Sequence, residues 1–202
     1  MLKEMLRERG VMNIWDDAGE RYSPEDWERR RKEIVELLCA EEYGLMPRQA
    51  DELRFEVMEE TAKYCAGKAV LRKVNITARF GDRSCTFPCY ASLPTKEGRH
   101  PFFVFLNFRD NVPDLFFPAE EIIDNGFAVL SFCYKDVTSD DGDFASGAAG
   151  AMFGGKERGA QDCGKIMMWS WAASRVLDYA ETLPNLDLTR AFVIGQIGRA
   201  HV

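Results

Sequence analysis

The first hydrophobic pattern along the chain is helical and begins near residue 23. Ser23 is a good helix N-cap, Pro24 suits the first helical position, and Asp26 completes a capping box. The apolar positions that then share one helical face are Trp27, Ile34, Val35 and Leu38. The pattern stops at Tyr43-Gly44. We predict an amphipathic helix that packs against another part of the molecule.

From residue 53 the pattern changes to the alternation of β-strands. Apolar and polar residues alternate over 53–57, over 70–80 and, less strictly, over 86–93. Gly81-Asp82 separates the last two runs and is a typical hairpin turn. These runs predict antiparallel strands with one face toward solvent.

Three later runs, 101–106, 127–132 and 191–194, are apolar without alternation. Such runs are typical of strands that are buried on both faces of a parallel sheet. Helical patterns lie between them, over 119–125 and over 162–183. The residues of the longer helix expected to face the sheet are Ile166, Trp169, Ala173, Val176, Leu177 and Ala180. The second half of the chain is therefore predicted to be α/β, with parallel, right-handed βαβ units.

Residues 140–159 are rich in glycine. A phosphate-binding loop is one interpretation, but Gly154-Gly155-Lys156 lacks the Ser or Thr and the spacing of a P-loop. No G-x-G-x-x-G motif follows a predicted strand either. The favoured interpretation is a flexible loop at the carboxyl end of a strand, where α/β sheets bind ligands.

Composition excludes several classes of partner. The net charge of -7 argues against binding to nucleic acid or to an anionic membrane surface. No apolar run approaches the roughly 18 residues that span a bilayer. Residues 1–9 lack the apolar core of a secretory signal, so a cytoplasmic location is expected.

Cysteine and histidine give little sign of a metal site. Cys85 and Cys89 are the only close cysteines, and their spacing without a second ligand pair is not that of a zinc site. The six cysteines are expected to be free packing thiols. The two histidines are His100 and His201, and His100 is expected to be an exposed turn residue. No metal and no cofactor are predicted.

The end of the chain resembles an interrupted nucleophile elbow. The apolar run 191–194 leads into Gly195, as a strand does before the elbow of an α/β-hydrolase. The nucleophile would stand two residues later, where Ile197 has no group that can attack. The last six residues are what a common short-read sequencing adapter encodes in one frame, and its preceding bases complete the codon of Gln196. We predict that residues 196–202 are a non-native tail; a natural C-terminus is the alternative.

Several short motifs recur in a specific order and spacing. They are Trp27-x2-Arg30-Arg31-x2-Ile34, Tyr43-Gly44-x2-Pro47, Phe105-Leu106-Asn107-Phe108-x2-Asn111, Asn125-Gly126-Phe127-Ala128-Val129, Tyr134-x-Asp136, Gly164-x4-Trp169-x-Trp171-x2-Ser174-Arg175-x2-Asp178-Tyr179, and Asp187-x2-Arg190-x2-Val193-Ile194-Gly195. With these motifs, most of residues 23–195 resembles the N-terminal half of α/β-hydrolases of the bacterial glucuronoyl esterase and acetylxylan-esterase-like group.

The resemblance implies ester hydrolysis by a Ser-His-acid triad. In α/β-hydrolases the acid and the His follow the Ser, so all three would lie beyond Gly195 and no catalytic residue is assigned. The chain as given is therefore expected to be inactive. One site element is expected in it, the loop of Asn107, Phe108 and Arg109, whose backbone N–H groups would help to form the oxyanion hole. An ordinary strand-to-helix loop is the alternative.

The predicted fold is thus the N-terminal half of an α/β-hydrolase with an incomplete sheet. Residues 1–50 would form a helical segment, 51–195 a partial hydrolase domain and 196–202 the tail. The implied substrate is a carbohydrate-linked ester, either a glucuronoyl methyl ester or an acetyl-sugar. A non-catalytic α/β module and a Rossmann-like nucleotide-binding protein are the alternatives. A sheet that ends at this strand would expose apolar surface, so poor solubility is expected.

Overall fold

A computed structural model describes residues 23–195, together with Glu4, Met5, Glu8 and Arg9. Contacts between residues divide the chain into two units at Glu42/Tyr43. The predicted tail, 196–202, lies outside the described residues.

Helix α1, Pro24–Leu38, belongs to the first unit and begins as the sequence predicts. The Ser23 hydroxyl accepts a hydrogen bond from the backbone N–H of Asp26 at 3.2 Å. The Asp26 carboxylate accepts one from the N–H of Ser23 at 3.1 Å, which closes the capping box. A π-helical turn, Cys39–Tyr43, follows α1. No residue of α1 is buried, so the packing of its apolar face stays a prediction.

The second unit is built on a six-stranded mixed sheet in the order β1-β2-β3-β5-β4-β6. The strands are β1 (Glu52–Tyr64), β2 (Ala69–Phe80), β3 (Arg83–Pro94), β4 (His100–Asn107), β5 (Ala128–Cys133) and β6 (Leu186–Gly195). The helices are α2 (Ala119–Asp124), α3 (Tyr134–Val137), α4 (Gly147–Phe153) and α5 (Lys165–Glu181), with a short 3-10 helix at Cys65–Gly67. None of the helices in the described part of the chain is long and apolar enough to cross a membrane.

The antiparallel strands form as predicted. Strands β1, β2 and β3 pair antiparallel, and the β2–β3 hairpin closes at Phe80 and Arg83 around Gly81, whose φ is 68°. A positive φ favours glycine at this turn position. The alternating side chains Val74, Ile76, Ala78 and Phe80 of β2 are buried, which confirms the expected single wet face.

Strand β4 lies between two parallel neighbours, β5 and β6. All six residues of β5 are buried, as its continuous apolar run predicts. Most of β6 is exposed, and burial on both faces was wrong for this strand. The reason is its position, because β6 is the outermost strand of the described sheet and has a partner on one side only.

Helix α5 packs on the sheet with most of the expected stripe, since Trp169, Val176 and Ala180 are buried and Ala173 and Leu177 are partly buried against the core. Its buried residues are Met167, Met168, Trp169, Trp171, Ala172, Val176, Tyr179 and Ala180. Ile166 is 58% exposed, so its assignment to the sheet face was wrong. The helix is apolar on more than one face, and a 3.6-residue period therefore fits more than one orientation.

His100 is buried rather than exposed in a turn, because it is the first residue of β4. Its ring nitrogens lie 2.9 Å from the carbonyl oxygen of Gly126 and 2.8 Å from that of Lys96. The imidazole ring thus connects the turn before β4, at Lys96, with the turn before β5, at Gly126. The described cysteines are free, and Cys85, Cys89, Cys133 and Cys163 are buried, as packing thiols should be.

Candidate active site

The carboxyl ends of the three parallel strands lie side by side. Asn107 at the end of β4 pairs with Cys133 at the end of β5, and Leu106 pairs with Gly195 at the end of β6. The loop predicted to help form an oxyanion hole therefore begins at Asn107, directly after Leu106, which is paired with Gly195. In open α/β sheets this edge is where ligands bind.

The Asn107 side chain holds the start of this loop. Asn107 is 1% exposed, its amide accepts a hydrogen bond from the backbone N–H of Arg109 at 3.4 Å, and its amide nitrogen donates to the carbonyl oxygen of Asn111, also at 3.4 Å. Both bonds are long, so they orient the loop without fixing it strongly. Because the Arg109 N–H is turned toward Asn107, it is poorly placed as an oxyanion donor in this arrangement.

Phe108 joins the loop to the segment that follows β5. Its ring centroid lies 5.1 Å from that of Tyr134 and 6.3 Å, edge-on, from that of Trp169. The Trp169 indole N–H donates to the carbonyl oxygen of Thr138 at 3.1 Å. A side chain of α5 thus fixes the backbone beyond β5 and supports the loop beyond β4. This confirms a packing role for Trp169 in the described structure.

Lys135 and Asp110, two charged side chains at this edge, form an ion pair. Lys135 lies 2.9 Å from Asp110, whose hydrogen bond raises the pKa of the lysine. Burial, with a further contribution from the charge of Asp110, raises the pKa of the Asp136 carboxyl. Burial also raises the pKa of the Cys133 thiol, which is the opposite of what activates a cysteine nucleophile.

The glycine-rich segment is partly helical, so the prediction of a loop was wrong for residues 147–153, whereas 140–146 and 154–159 lie in loops and turns. It contains α4, whose Gly150 lies against the carbonyl group of Ala145, where a side chain would collide. The sequence pattern missed α4 because five of its seven residues are alanine or glycine: Gly147, Ala148, Ala149, Gly150 and Ala151. Glycine serves here for close backbone approach rather than for freedom of the chain.

Two cations anchor the rest of this segment. The Arg158 guanidinium lies 3.5 Å from the ring centroid of Phe144 and donates to the backbone carbonyl oxygen atoms of Asp162 and Cys163. Lys165, with 9% of its side chain exposed, donates to the Thr138 hydroxyl at 2.9 Å. Burial lowers the pKa of Lys165. Both cations therefore act as structural ties.

The same segment meets the chain at Gly44. The backbone N–H of Leu45 donates to the carbonyl oxygen of Gln161 at 2.9 Å, and that of Gly164 donates to the carbonyl oxygen of Tyr43 at 2.8 Å. Gly44 has a φ of 78°, and a side chain there would collide with the backbone of Asp162. The Tyr43-Gly44 motif and the motif that begins at Gly164 are distant in the sequence, yet they are in direct backbone contact.

The structure brings some of the predicted site residues together. Asn107, Phe108 and Arg109 start at the strand end that adjoins Gly195. A side chain at Gly195 would meet no atom of the described structure, so its need for glycine is not visible there. Ile197, at the predicted nucleophile position, lies outside the described residues. Within those residues, no three His, Cys, Asp or Glu side chains are grouped to hold a metal ion.

Sequence reasoning missed the supports beneath the loop. Thr138 acts through its backbone carbonyl and its hydroxyl, for which one sequence offers no signal. Lys165 follows Gly164 at the start of α5 and appears in the sequence as one more surface lysine. The one available signal was Trp169 in its motif, since buried indoles usually have a hydrogen-bond partner.

No family model matches the chain. One curated relative is a 4-O-methyl-glucuronoyl methylesterase of Podospora anserina, 26% identical over 177 residues, which are 86% of this chain and 32% of the relative.

Solved structures of glucuronoyl esterases share the fold. That of Teredinibacter turnerae superposes with a TM-score of 0.78 at 22% identity, over 93% of this chain and 50% of its own. That of Solibacter usitatus gives 0.75 at 23% identity, over 87% of this chain and 54% of its own. The chain thus spans about half the length of these structures and about a third of the curated relative. It has part of an α/β-hydrolase fold, and the resemblance to glucuronoyl esterases is confirmed.

Proposed function

We propose that this chain is part of a serine esterase that hydrolyses carbohydrate-linked esters. The observation that carries the proposal is the register of β4 with β6, which sets Gly195 beside the start of the Asn107 loop. An α/β-hydrolase needs its nucleophile turn and its oxyanion loop at such neighbouring strand ends. A Rossmann-like protein would need a glycine-rich turn after β4, where this chain has Asn107-Phe108-Arg109-Asp110.

The substrate proposed is a glucuronoyl methyl ester, with an acetyl-sugar ester as the alternative. The curated relative is named for the methyl ester of 4-O-methyl-glucuronic acid. A Sporotrichum thermophile glucuronoyl esterase, with a TM-score of 0.58, was solved in complex with methyl 4-O-methyl-β-D-glucopyranuronate. The relatives thus support a uronoyl ester over an acetyl ester.

The proposed reaction proceeds through an acyl-enzyme. A serine hydroxyl attacks the ester carbonyl carbon while a histidine takes its proton, the alcohol leaves with that proton, and water then releases the acid. The serine would stand at the position now held by Ile197, whose side chain cannot attack. We therefore propose that the 202-residue polypeptide has no esterase activity and that activity requires serine at this position.

The role proposed for the Asn107 loop is to supply a backbone N–H donor to the oxyanion, other than the N–H of Arg109, which is turned toward Asn107. Such donors act because they are already oriented toward the charge that develops in the transition state. Asn107 is then a positioning residue, since its side chain holds the backbone on both sides of the turn.

The experiment begins with the source gene, sequenced through codons 196–202 and onward. The proposal expects Gly-x-Ser at 195–197, followed by an acid and a histidine. In that longer protein, Asn107→Ala should lower kcat about tenfold with little change in KM, because the loop acts in the transition state. Hydrolysis is measured on methyl 4-O-methyl-β-D-glucopyranuronate.

The matched control is Asn125→Ala. Asn125 also donates a side-chain hydrogen bond to a backbone carbonyl, that of Glu121, but at the end of α2, ahead of the amino end of β5. This variant should keep full activity. A gene that reads Gln-Ile-Gly-Arg-Ala-His-Val and then stops would refute the esterase proposal. Equal losses in the two variants would refute the role of the loop.

A further inference from the structure

The loop between β4 and α2 ends in an exposed apolar tip, formed by Leu115 and Phe116. These residues are 87% and 80% exposed, the highest values among the large apolar side chains that the structure describes. Adjacent large apolar side chains with so much exposure mark a surface that binds something more often than isolated ones do.

The tip is held rigidly from below. Asp114, with 8% of its side chain exposed, accepts a hydrogen bond from the backbone N–H of Phe116 at 2.9 Å and pairs with Arg109 at 3.3 Å. The Arg109 guanidinium carbon lies 4.2 Å from the ring centroid of Phe116. Phe117 stacks on Phe105 of β4 with centroids 4.1 Å apart. The ring of Phe116 is therefore oriented before any ligand arrives, which lowers the entropy cost of binding.

The tip is continuous with the candidate active site. Its loop starts at Asn107, and Leu106 immediately before pairs with Gly195. Arg109 belongs both to the predicted oxyanion loop and to the support of Phe116. Phe116 is thus an exposed aromatic ring on the loop that begins at the end of β4 and is in contact with Arg109 near the start of that loop.

The chemistry of the tip suits a sugar. A pyranose ring has an apolar face of C–H groups and a rim of hydroxyl groups. One face of Phe116 is covered by Arg109, so its open face offers apolar contact, while Arg109 and Asp114 offer a donor and an acceptor beside it. A second protein would need about 800 Å² of surface, far more than two side chains provide.

We propose that Phe116, held by Arg109 and Asp114, is a sugar-stacking residue that binds a pyranose ring of the substrate. This inference deepens the proposed function and rests on it for the class of ligand. It assigns to Phe116 a part in substrate affinity and none in the chemical step.

The test uses the whole 202-residue chain, because binding does not require the nucleophile. Methyl 4-O-methyl-β-D-glucopyranuronate is titrated, and saturation transfer to its ring protons is followed by NMR. Phe116→Ala should weaken binding about fivefold, and Phe116→Trp should retain it. Val57→Ala is the matched control, since Val57 is an exposed apolar residue, 51% accessible, on the outer strand β1. Melting curves confirm that each variant is folded.

Three results would overturn the inference. They are equal affinity in wild type and Phe116→Ala, no binding of the sugar by the wild type, and Phe116-dependent binding of benzyl alcohol in preference to the sugar. The proposed function is judged separately, by hydrolysis in the longer protein. Hydrolysis with Phe116-independent binding overturns this inference alone. Phe116-dependent binding without hydrolysis overturns the esterase proposal alone.

Discussion

Strands β5 and β6 flank the same strand, β4, and have similar apolar sequences, yet their environments are opposite. In the row that Val104 of β4 shares with its two neighbours, Leu130 of β5 is 0% exposed and Val193 of β6 is 70% exposed. In the next row, Val129 is 2% exposed and Phe192 is 45% exposed. The difference lies in what surrounds each strand and not in its own residues.

The comparison shows that an apolar run in the sequence can form either a buried strand or an exposed strand. On β5, covered by strands on both sides, the run contributes to stability in the described structure. On β6 a similar run is largely exposed to solvent in the described structure. The free energy of unfolding should therefore respond very differently to the same substitution in the two strands.

The largest expected effect is the contrast between two valines. Val129→Ala should lower the free energy of unfolding by about 2 kcal/mol, because it removes buried methyl groups and leaves a cavity. Val193→Ala should change it by less than about 0.5 kcal/mol, because the side chain is already in water. Urea unfolding of both variants measures the contrast. Equal losses would mean that β6 is buried in solution.

The next effect concerns the backbone beyond β5, where the Trp169 indole N–H donates to the carbonyl oxygen of Thr138, just after α3. Trp169→Phe should destabilise the protein by about 1 kcal/mol more than Trp171→Phe, since it also leaves a buried carbonyl without its partner. Trp171 is a matched control on the same helix, because its indole N–H is buried without a hydrogen-bond partner in the described structure. Urea unfolding again gives both values. Identical losses would show that the hydrogen bond contributes nothing.

Much of the fold could be predicted from the sequence, because local rules decide it. The capping box at Ser23, the hairpin at Gly81 and the parallel runs around β4 each follow from the residues present. The position of the candidate site also follows, since the ends of parallel strands share one edge. The register that places Leu106 beside Gly195 required the structure.

The remainder depends on contacts between distant parts of the chain. The burial of His100 is set by the turns at Lys96 and Gly126, which no local pattern reveals. The conformation of the glycine-rich segment depends on Arg158, whose guanidinium lies over the ring of Phe144, and on Lys165, which donates to the carbonyl oxygen of Asp143. The helical period of apolar residues cannot predict whether Ile166 faces the sheet, because the residues that follow it in α5 are apolar as well.

A smaller effect on stability, but a visible one on solubility, is expected from Val193→Lys. A lysine on an exposed edge strand opposes pairing with other chains, and at a site 70% exposed it should change the free energy of unfolding by less than about 0.5 kcal/mol. Light scattering at increasing protein concentration measures association. Val57→Lys on the opposite outer strand, β1, is the control. If both variants associate as the wild type does, β6 is not the surface that causes association.

The smallest effect concerns the first half of β6, where residues 187–190 interrupt the pairing with β4 between Leu186 and Ala191. The Asp187 carboxylate fastens this irregular turn. It accepts hydrogen bonds from the hydroxyl of Thr189 and the guanidinium of Arg190, both at 2.7 Å. The Thr189 hydroxyl, followed by Arg190, lowers the pKa of Asp187 from 3.8 to about 2.

Because the pKa is lower in the folded state, the ionised carboxylate stabilises the fold above the ordinary pKa and loses this effect as the pH falls through about 2. Asp187→Asn should therefore be less stable than the wild type from pH 7 down to about 4, and the difference should vanish toward pH 2. Urea unfolding across this range measures it. Thr189→Val removes the largest cause of the shift, so in this background the pKa of Asp187 should rise and the difference should shrink. A gap between wild type and Asp187→Asn that stays constant down to pH 2 would show that the exposed end of β6 is not fastened by this carboxylate, and would leave strand pairing with β4 as its only described support.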